Sequence, residues 1–157
     1  MKTIKVSEAS NAQLDWLVAK REGHQFAGVY GRGTVQFKFG VWVKLPNGGT
    51  QEYVMRHELT AMYKKLDPDG PLCYQSTRVW GPTADWSQMG PIIERELDYI
   101  DRTGALWQAV KYDANGNFTL GSVGHFGLGP TPLIAAARCY VVSKLGETVE
   151  VPEELLP

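Results

Sequence analysis

Val35-Gln36-Phe37-Lys38-Phe39-Gly40-Val41-Trp42-Val43-Lys44 places an apolar residue at every odd position and mostly polar ones between them. A period of two is the mark of a strand with one buried face. It predicts Val35, Phe37, Phe39, Val41 and Val43 pointing inward, with Trp42 outward beside Lys38 and Lys44. Pro46-Asn47-Gly48-Gly49 is turn chemistry, its Asn-Gly pair suited to positive φ, and Gln51 to Arg56 reads as the returning strand of a hairpin. A tryptophan exposed beside two lysines either meets a ligand or partner or packs under a loop, and it leaves a homodimer open.

On both sides of this hairpin the period changes. Ile4-Lys5-Val6 reads as a short strand. Ser10 suits an N-cap, and Asn11 to Glu22 reads as a helix stopped by Gly23, with Leu14, Leu17 and Val18 as its buried stripe and Trp16 at the core edge. At the other end Thr131 suits an N-cap, Pro132 the first helical position and Gly146 the stop; Leu133, Ile134, Ala137, Tyr140, Val141 and Leu145 form the apolar face. The tail, VEVPEELLP, is expected along the body.

Between these ends, Asp67 to Pro71 reads as a loop and Tyr74 to Trp80 as a strand. Asp85 caps a short turn over Trp86 to Gln88 that Gly90-Pro91 interrupts, and Pro91 to Glu96 reads as a short helix or an irregular strand. Ala105 to Tyr112 and Asn117 to Val123 form a second hairpin around Asp113-Ala114-Asn115-Gly116. The expectation is a single α+β domain over residues 1–157, an antiparallel sheet of about five strands with the N-terminal and C-terminal helices packed on it.

Composition narrows the function classes. The 157 residues are 43% hydrophobic and 21% charged, as in an ordinary globular protein, with 16 Lys+Arg against 17 Asp+Glu. That balance gives no broad pull toward nucleic acid or an anionic membrane. No stretch has the apolar length of a spanning helix or a secretory signal. Cys73 and Cys139 lie far apart without metal spacing and read as reduced thiols.

Three constellations could carry chemistry. Gly124-His125-Phe126-Gly127-Leu128-Gly129-Pro130-Thr131-Pro132 is a glycine-rich run feeding a helix N-terminus, where free N–H groups suit a phosphate or carboxylate. Gly127, Gly129 and Thr131 would form the rim and His125 could touch the ligand. The opposing reading is a structural turn, because Pro130 and Pro132 remove two donors and no lysine follows as in a P-loop. Arg138 lies nearly two turns into the helix, too far along to stand in for that lysine unless the fold brings it round. The second cluster, Arg78-Val79-Trp80-Gly81-Pro82-Thr83-Ala84-Asp85-Trp86-Ser87-Gln88, has flat indoles with a carboxylate and an amide, the make-up of a small-molecule site, or else of core plugs and a cap. In it Arg78, Trp80, Asp85, Trp86 and Gln88 are the binding candidates. The third is Glu94-Arg95-Glu96, an alternating-charge face in which Arg95 is the fork donor to an anion. His24, His57 and His125 show no metal spacing, and no catalytic residue, metal or cofactor is expected.

VSEASNAQLDWLVAKREG, PTADWSQMGPIIERE, Trp107-Gln108-Ala109 and GPTPLIAAARCYVVSKLGETVEVPEEL together resemble the NinX-like family of small proteins encoded by tailed bacteriophages. Thr83-Ala84-Asp85-Trp86 stands where relatives usually carry Ser-Thr-Asp-Trp, and Met89 where they usually carry glycine. The resemblance implies a phage accessory protein expressed in the host bacterial cytoplasm, and implies no reaction. Three functions follow as expectations. The first is a non-enzymatic protein that sequesters a small anionic molecule, such as a nucleotide signal of host defence, in a pocket joining Trp80–Gln88, Arg95 and Gly127–Thr131. The second is a module that binds a host or phage protein through an aromatic patch. The third is a small hydrolase or transferase.

Overall fold

A computed structural model describes residues 1–27, 30–32, 35–37, 40–66, 78–112 and 125–156. They are mixed α and β, with four α-helices and mostly antiparallel strands, so the class matches expectation. The element count does not: eleven strands replace about five, in two ribbons and two larger sheets. The chain forms two compact units, one from residues 1–18 and 82–157, the other from 19–81.

The first unit begins with β1 (Lys2–Lys5), which pairs antiparallel with β11 (Thr148–Val151) in the register Lys2 to Val151 and Lys5 to Thr148. The tail therefore does lie along the body, as a strand. Helix α1 (Asn11–Arg21) starts with a reciprocal cap: the Gln13 amide donates to Ser10 Oγ at 3.3 Å and the Ser10 amide to Gln13 Oε1 at 2.9 Å. Gln13 also donates through Nε2 to the Leu155 carbonyl, 3.1 Å, and buried Asp15 accepts from the Thr83 amide, 2.9 Å. These two bonds tie the start of the chain to its middle, at Thr83, and to its end, at Leu155.

Helix α3 (Trp86–Glu96) runs through Gly90-Pro91 where an interruption was expected. Pro91 lies inside α3 without the N–H that would reach the Ser87 carbonyl, yet exposed Ser87 can leave that carbonyl to water while Met89 and Ile92 anchor the buried side. Strands β8 (Tyr99–Thr103), β9 (Leu106–Lys111) and β10 (His125–Gly129) form an antiparallel sheet in the order β10-β9-β8, β8 and β9 turning at Gly104, φ +62°. The expected hairpin partner Asn117–Val123 lies outside the described residues. What pairs with β9 is the glycine run itself, as β10; it is a strand and not a loop.

Helix α4 (Pro132–Leu145) matches its predicted limits, and Gly146 follows at φ +90°. It is buried almost all round: Leu133 to Ala137, Cys139, Tyr140 and Val141 are all in the core, so it is a central helix rather than one with a single apolar stripe. Leu145, expected inward, is 37% exposed at the last position of the helix.

The second unit contains β2 (Gln25–Ala27), β5 (Gly40–Lys44), β6 (Thr50–Met55) and β7 (Val79–Trp80) in that sheet order, with β6 and β7 parallel, and a ribbon of β3 (Tyr30–Arg32) and β4 (Val35–Phe37). The single strand expected over Val35–Lys44 is thus two, β4 and β5, in different sheets. Where side chains are described the alternation holds: Val41 and Val43 are buried, Trp42 and Lys44 exposed. The Pro46–Gly49 turn is present, with Gly48 at φ +83° and Asn47 Oδ1 accepting from the Gly49 amide. The returning strand gives way at once to α2 (Arg56–Leu66), so Arg56, expected to end the strand, begins a helix that carries His57 and Glu58. Cys73 and most of the Tyr74–Trp80 strand lie outside the described residues.

Candidate functional site

Because β10 alternates, Gly127 and Gly129 face α4 while Phe126 and Leu128 point the other way, 53% and 37% exposed. A Cβ on Gly127 would collide with the Ala135 carbonyl and the Cys139 amide; one on Gly129 would sit 2.7 Å from the Ala135 amide and 2.8 Å from Ile134 Cγ2. The glycines let strand and helix approach backbone to backbone. Thr131 Oγ1 accepts from the Ile134 amide, 3.2 Å, so the first turn of α4 is closed by the protein itself. Of the two readings of this run, the contacts match the structural one: the start of α4 is a packed joint.

A cavity of about 520 Å³ nevertheless opens beside β10, within the range of small-ligand sites. Its walls include four successive residues of β10, His125 to Leu128, then Arg138 and Val142 of α4, Lys5 and Ser7, and Glu147 and Thr148. The register of the end ribbon brings Lys5 opposite Thr148, so residues from both ends of the chain share this wall.

Arg138 dominates its electrostatics. Its Nη1 donates to the Leu128 carbonyl at 2.7 Å and its Nη2 to the Ala9 carbonyl at 3.3 Å, while Nε is buried without a partner. Both acceptors are neutral, and among the described residues no recorded ion pair includes Arg138. Burial pushes its pKa below the ordinary arginine value. A half-buried cation without a counter-ion is costly, and an anion in the cavity would offset that cost. Lys5 adds a second positive charge, held only loosely by Glu8 at 3.8 Å between two exposed side chains. Glu147 is the acid among the lining residues.

The other predicted residues divide. His125 and Gly127 line the cavity; Gly129 and Thr131 serve the strand–helix joint. Asp85 caps α3, accepting from the Ser87 amide at 2.9 Å and its hydroxyl at 2.7 Å. Trp86 is 57% exposed, Gln88 is half-buried, and neither lines the cavity. Arg95 reaches Glu96 at 3.1 Å on the surface. In the second unit, Trp80 is a core residue, edge-on to His24 at 4.8 Å and to Tyr53 at 6.4 Å, and the Arg78 guanidinium donates to the Gln51 side-chain oxygen at 2.8 and 2.9 Å.

Sequence reading set Arg138 aside as too far along the helix unless the fold brings it round, and passed over Lys5, Ser7, Val142, Glu147 and Thr148. A signal existed for the first: Arg138 is a lone guanidinium in a helix otherwise apolar from Leu133 to Val142. Among the described residues no cluster of His, Cys, Asp and Glu could hold a metal ion, and no helix is long and apolar enough to cross a membrane.

No curated protein matches the chain. A family model described as Bacteriophage P22, NinX matches residues 5–144, which takes in β10, Arg138 and nearly the whole cavity wall, and the chain therefore belongs to this phage family.

Proposed function

We propose that this phage protein is a non-enzymatic binding protein that holds a small anionic group in the cavity beside β10 that Arg138 of α4 also lines. The observation that carries the reading is Arg138, a partly buried guanidinium at the cavity wall whose acceptors are two neutral carbonyls. Lys5 strengthens the positive potential, and Ser7 and Thr148 supply hydroxyls to an anion's remaining oxygens. Phosphates, nucleotides and carboxylates share this chemistry. In an infected cell such a protein would act in the host cytoplasm, and sequestering an anionic signal there would counter a host defence that depends on it.

A second reading, docking onto a host or phage protein, draws support from Phe126 and Leu128, which stand exposed on the strand that walls the cavity. The test is direct. The purified chain is denatured and the released molecules identified by mass spectrometry, alongside thermal shifts with phosphate, nucleotides, cyclic nucleotides and short peptides. A ligand whose stabilising effect disappears in Arg138→Gln supports the reading; no released molecule and no shift across the whole panel overturn it.

A further inference from the structure

The cavity is lined by charges of both signs that do not meet each other. Arg138 is held at the Leu128 carbonyl, whereas Glu147 follows Gly146, past the end of α4. From Arg138 to the last residue of the helix the axis advances about 10 Å. Both residues line one cavity, yet among the described residues neither enters an ion pair. Opposite charges attract across a shared cavity; the fold keeps these two apart by anchoring one on the helix and the other beyond it.

Neither group has used up its bonding capacity. A guanidinium carries five N–H donors, and Arg138 gives one from Nη1 to Leu128 and one from Nη2 to Ala9, so each terminal nitrogen keeps a second N–H. The Glu147 side chain is exposed, and it is the backbone carbonyl of Glu147, not its carboxylate, that accepts from the Val6 amide. Lys5, the other lining cation, turns its ammonium to Glu8 at 3.8 Å, a residue outside the lining, rather than to Glu147. Val142 adds an apolar stretch to the wall, and the volume of about 520 Å³ is far larger than one phosphate or carboxylate fills.

We propose, resting on the anion reading above, that the ligand is dipolar: an elongated small molecule with an anionic group at Arg138 and an ammonium or guanidinium group at Glu147. The anion accepts from the remaining terminal N–H groups, the cationic end donates to the Glu147 carboxylate, and the chain between them lies along Val142. Glu147 supplies the selectivity. A ligand with two anionic ends brings like charge against it, and a compact anion leaves it unused.

The experiment titrates the full chain by calorimetry with straight-chain acids of equal length that differ only at the far terminus. These are hexanoate, aminohexanoate with a terminal ammonium, and adipate with a second carboxylate. Aminohexanoate is expected to bind at least tenfold more tightly than hexanoate, and adipate no more tightly than hexanoate. Glu147→Gln should erase that preference, so that aminohexanoate and hexanoate bind alike. Its melting temperature should not move, because the exposed carboxylate holds no ion pair. Arg138→Gln should weaken every acid at least tenfold. Hexanoate or adipate binding as tightly as aminohexanoate, or a preference for the amine that survives Glu147→Gln, overturns the dipolar assignment. If inorganic phosphate or mononucleotides bind through Arg138 while aminohexanoate is silent, this proposal fails and the anion reading stands. If neither set binds, both fall.

Discussion

Gly127 lies so close beneath Ala135 that a side-chain carbon on the glycine would overlap the Ala135 carbonyl oxygen. Neither backbone can retreat cheaply, since β10 is tied to β9 and α4 is enclosed by the core. Gly127→Ala is therefore expected to destabilise the protein by about 3 kcal/mol or more, read from denaturant unfolding. A loss below about 1 kcal/mol would show that the joint is looser than described.

Glu96 gathers three cations: Lys144 Nζ at 2.6 Å, Lys111 Nζ at 2.9 Å and Arg95 Nε at 3.1 Å. Burial alone would raise its carboxyl pKa, but the hydrogen bonds from Lys144, Lys111 and Arg95 outweigh it and hold the value down to about 2. A depressed folded-state pKa contributes stability that is full above the ordinary value of about 4.5 and is lost as the pH falls toward about 2. Glu96→Gln should cost about 1–2 kcal/mol at neutral pH, and the gap from the parent should shrink as unfolding is measured at successively lower pH across that window. A gap independent of pH would refute the assignment.

Cys139 is fully buried, its thiol donates to the His125 carbonyl at 3.3 Å, and burial pushes its pKa up to about 12. At pH 8 the thiolate is scarce and shielded, so alkylation of Cys139 should be undetectable in the folded protein and rapid in denaturant, with peptide mapping to separate it from Cys73. Rapid labelling of the native chain would contradict this burial.

Trp80 packs edge-on against His24 and Tyr53 in the second unit. Trp80→Ala should cost about 3–5 kcal/mol in unfolding, whereas any anion binding that survives should keep its affinity, because Trp80 does not line the cavity. A folded variant that had lost ligand affinity would return this indole to the site.

The sequence made legible what local chemistry determines. The Ser10 cap, the Thr131–Gly146 limits of α4, the Asn47-Gly48 turn and the alternation of Val41, Trp42 and Val43 each depend on residues a few positions apart. What was misread depends on distant partners. Glycine spacing is the same in a phosphate-binding turn and in a strand pressed against a helix; only the collision a Cβ would make with Ala135 distinguishes them. The split of Val35–Lys44 is likewise decided by which strands pair with each half. The Trp80–Gln88 run stayed open between a site and core plugs with a cap because Trp, Arg and Asp serve both uses. Arg138 was set aside because its place depends on partners the local pattern does not contain: a β10 carbonyl ten residues back and Ala9, far off in sequence.

The pairing of β1 with β11, Lys2 opposite Val151, has a consequence for how the chain is made. Strand β1 has nothing to zip against until β11 (Thr148–Val151) has been translated. Residues 19–81 carry their own strands and are free to fold in the meantime. Assembly of the cavity, which draws on Lys5 and Thr148 alike, therefore waits for residue 148, and a ribosome stalled before it would display a chain without that cavity.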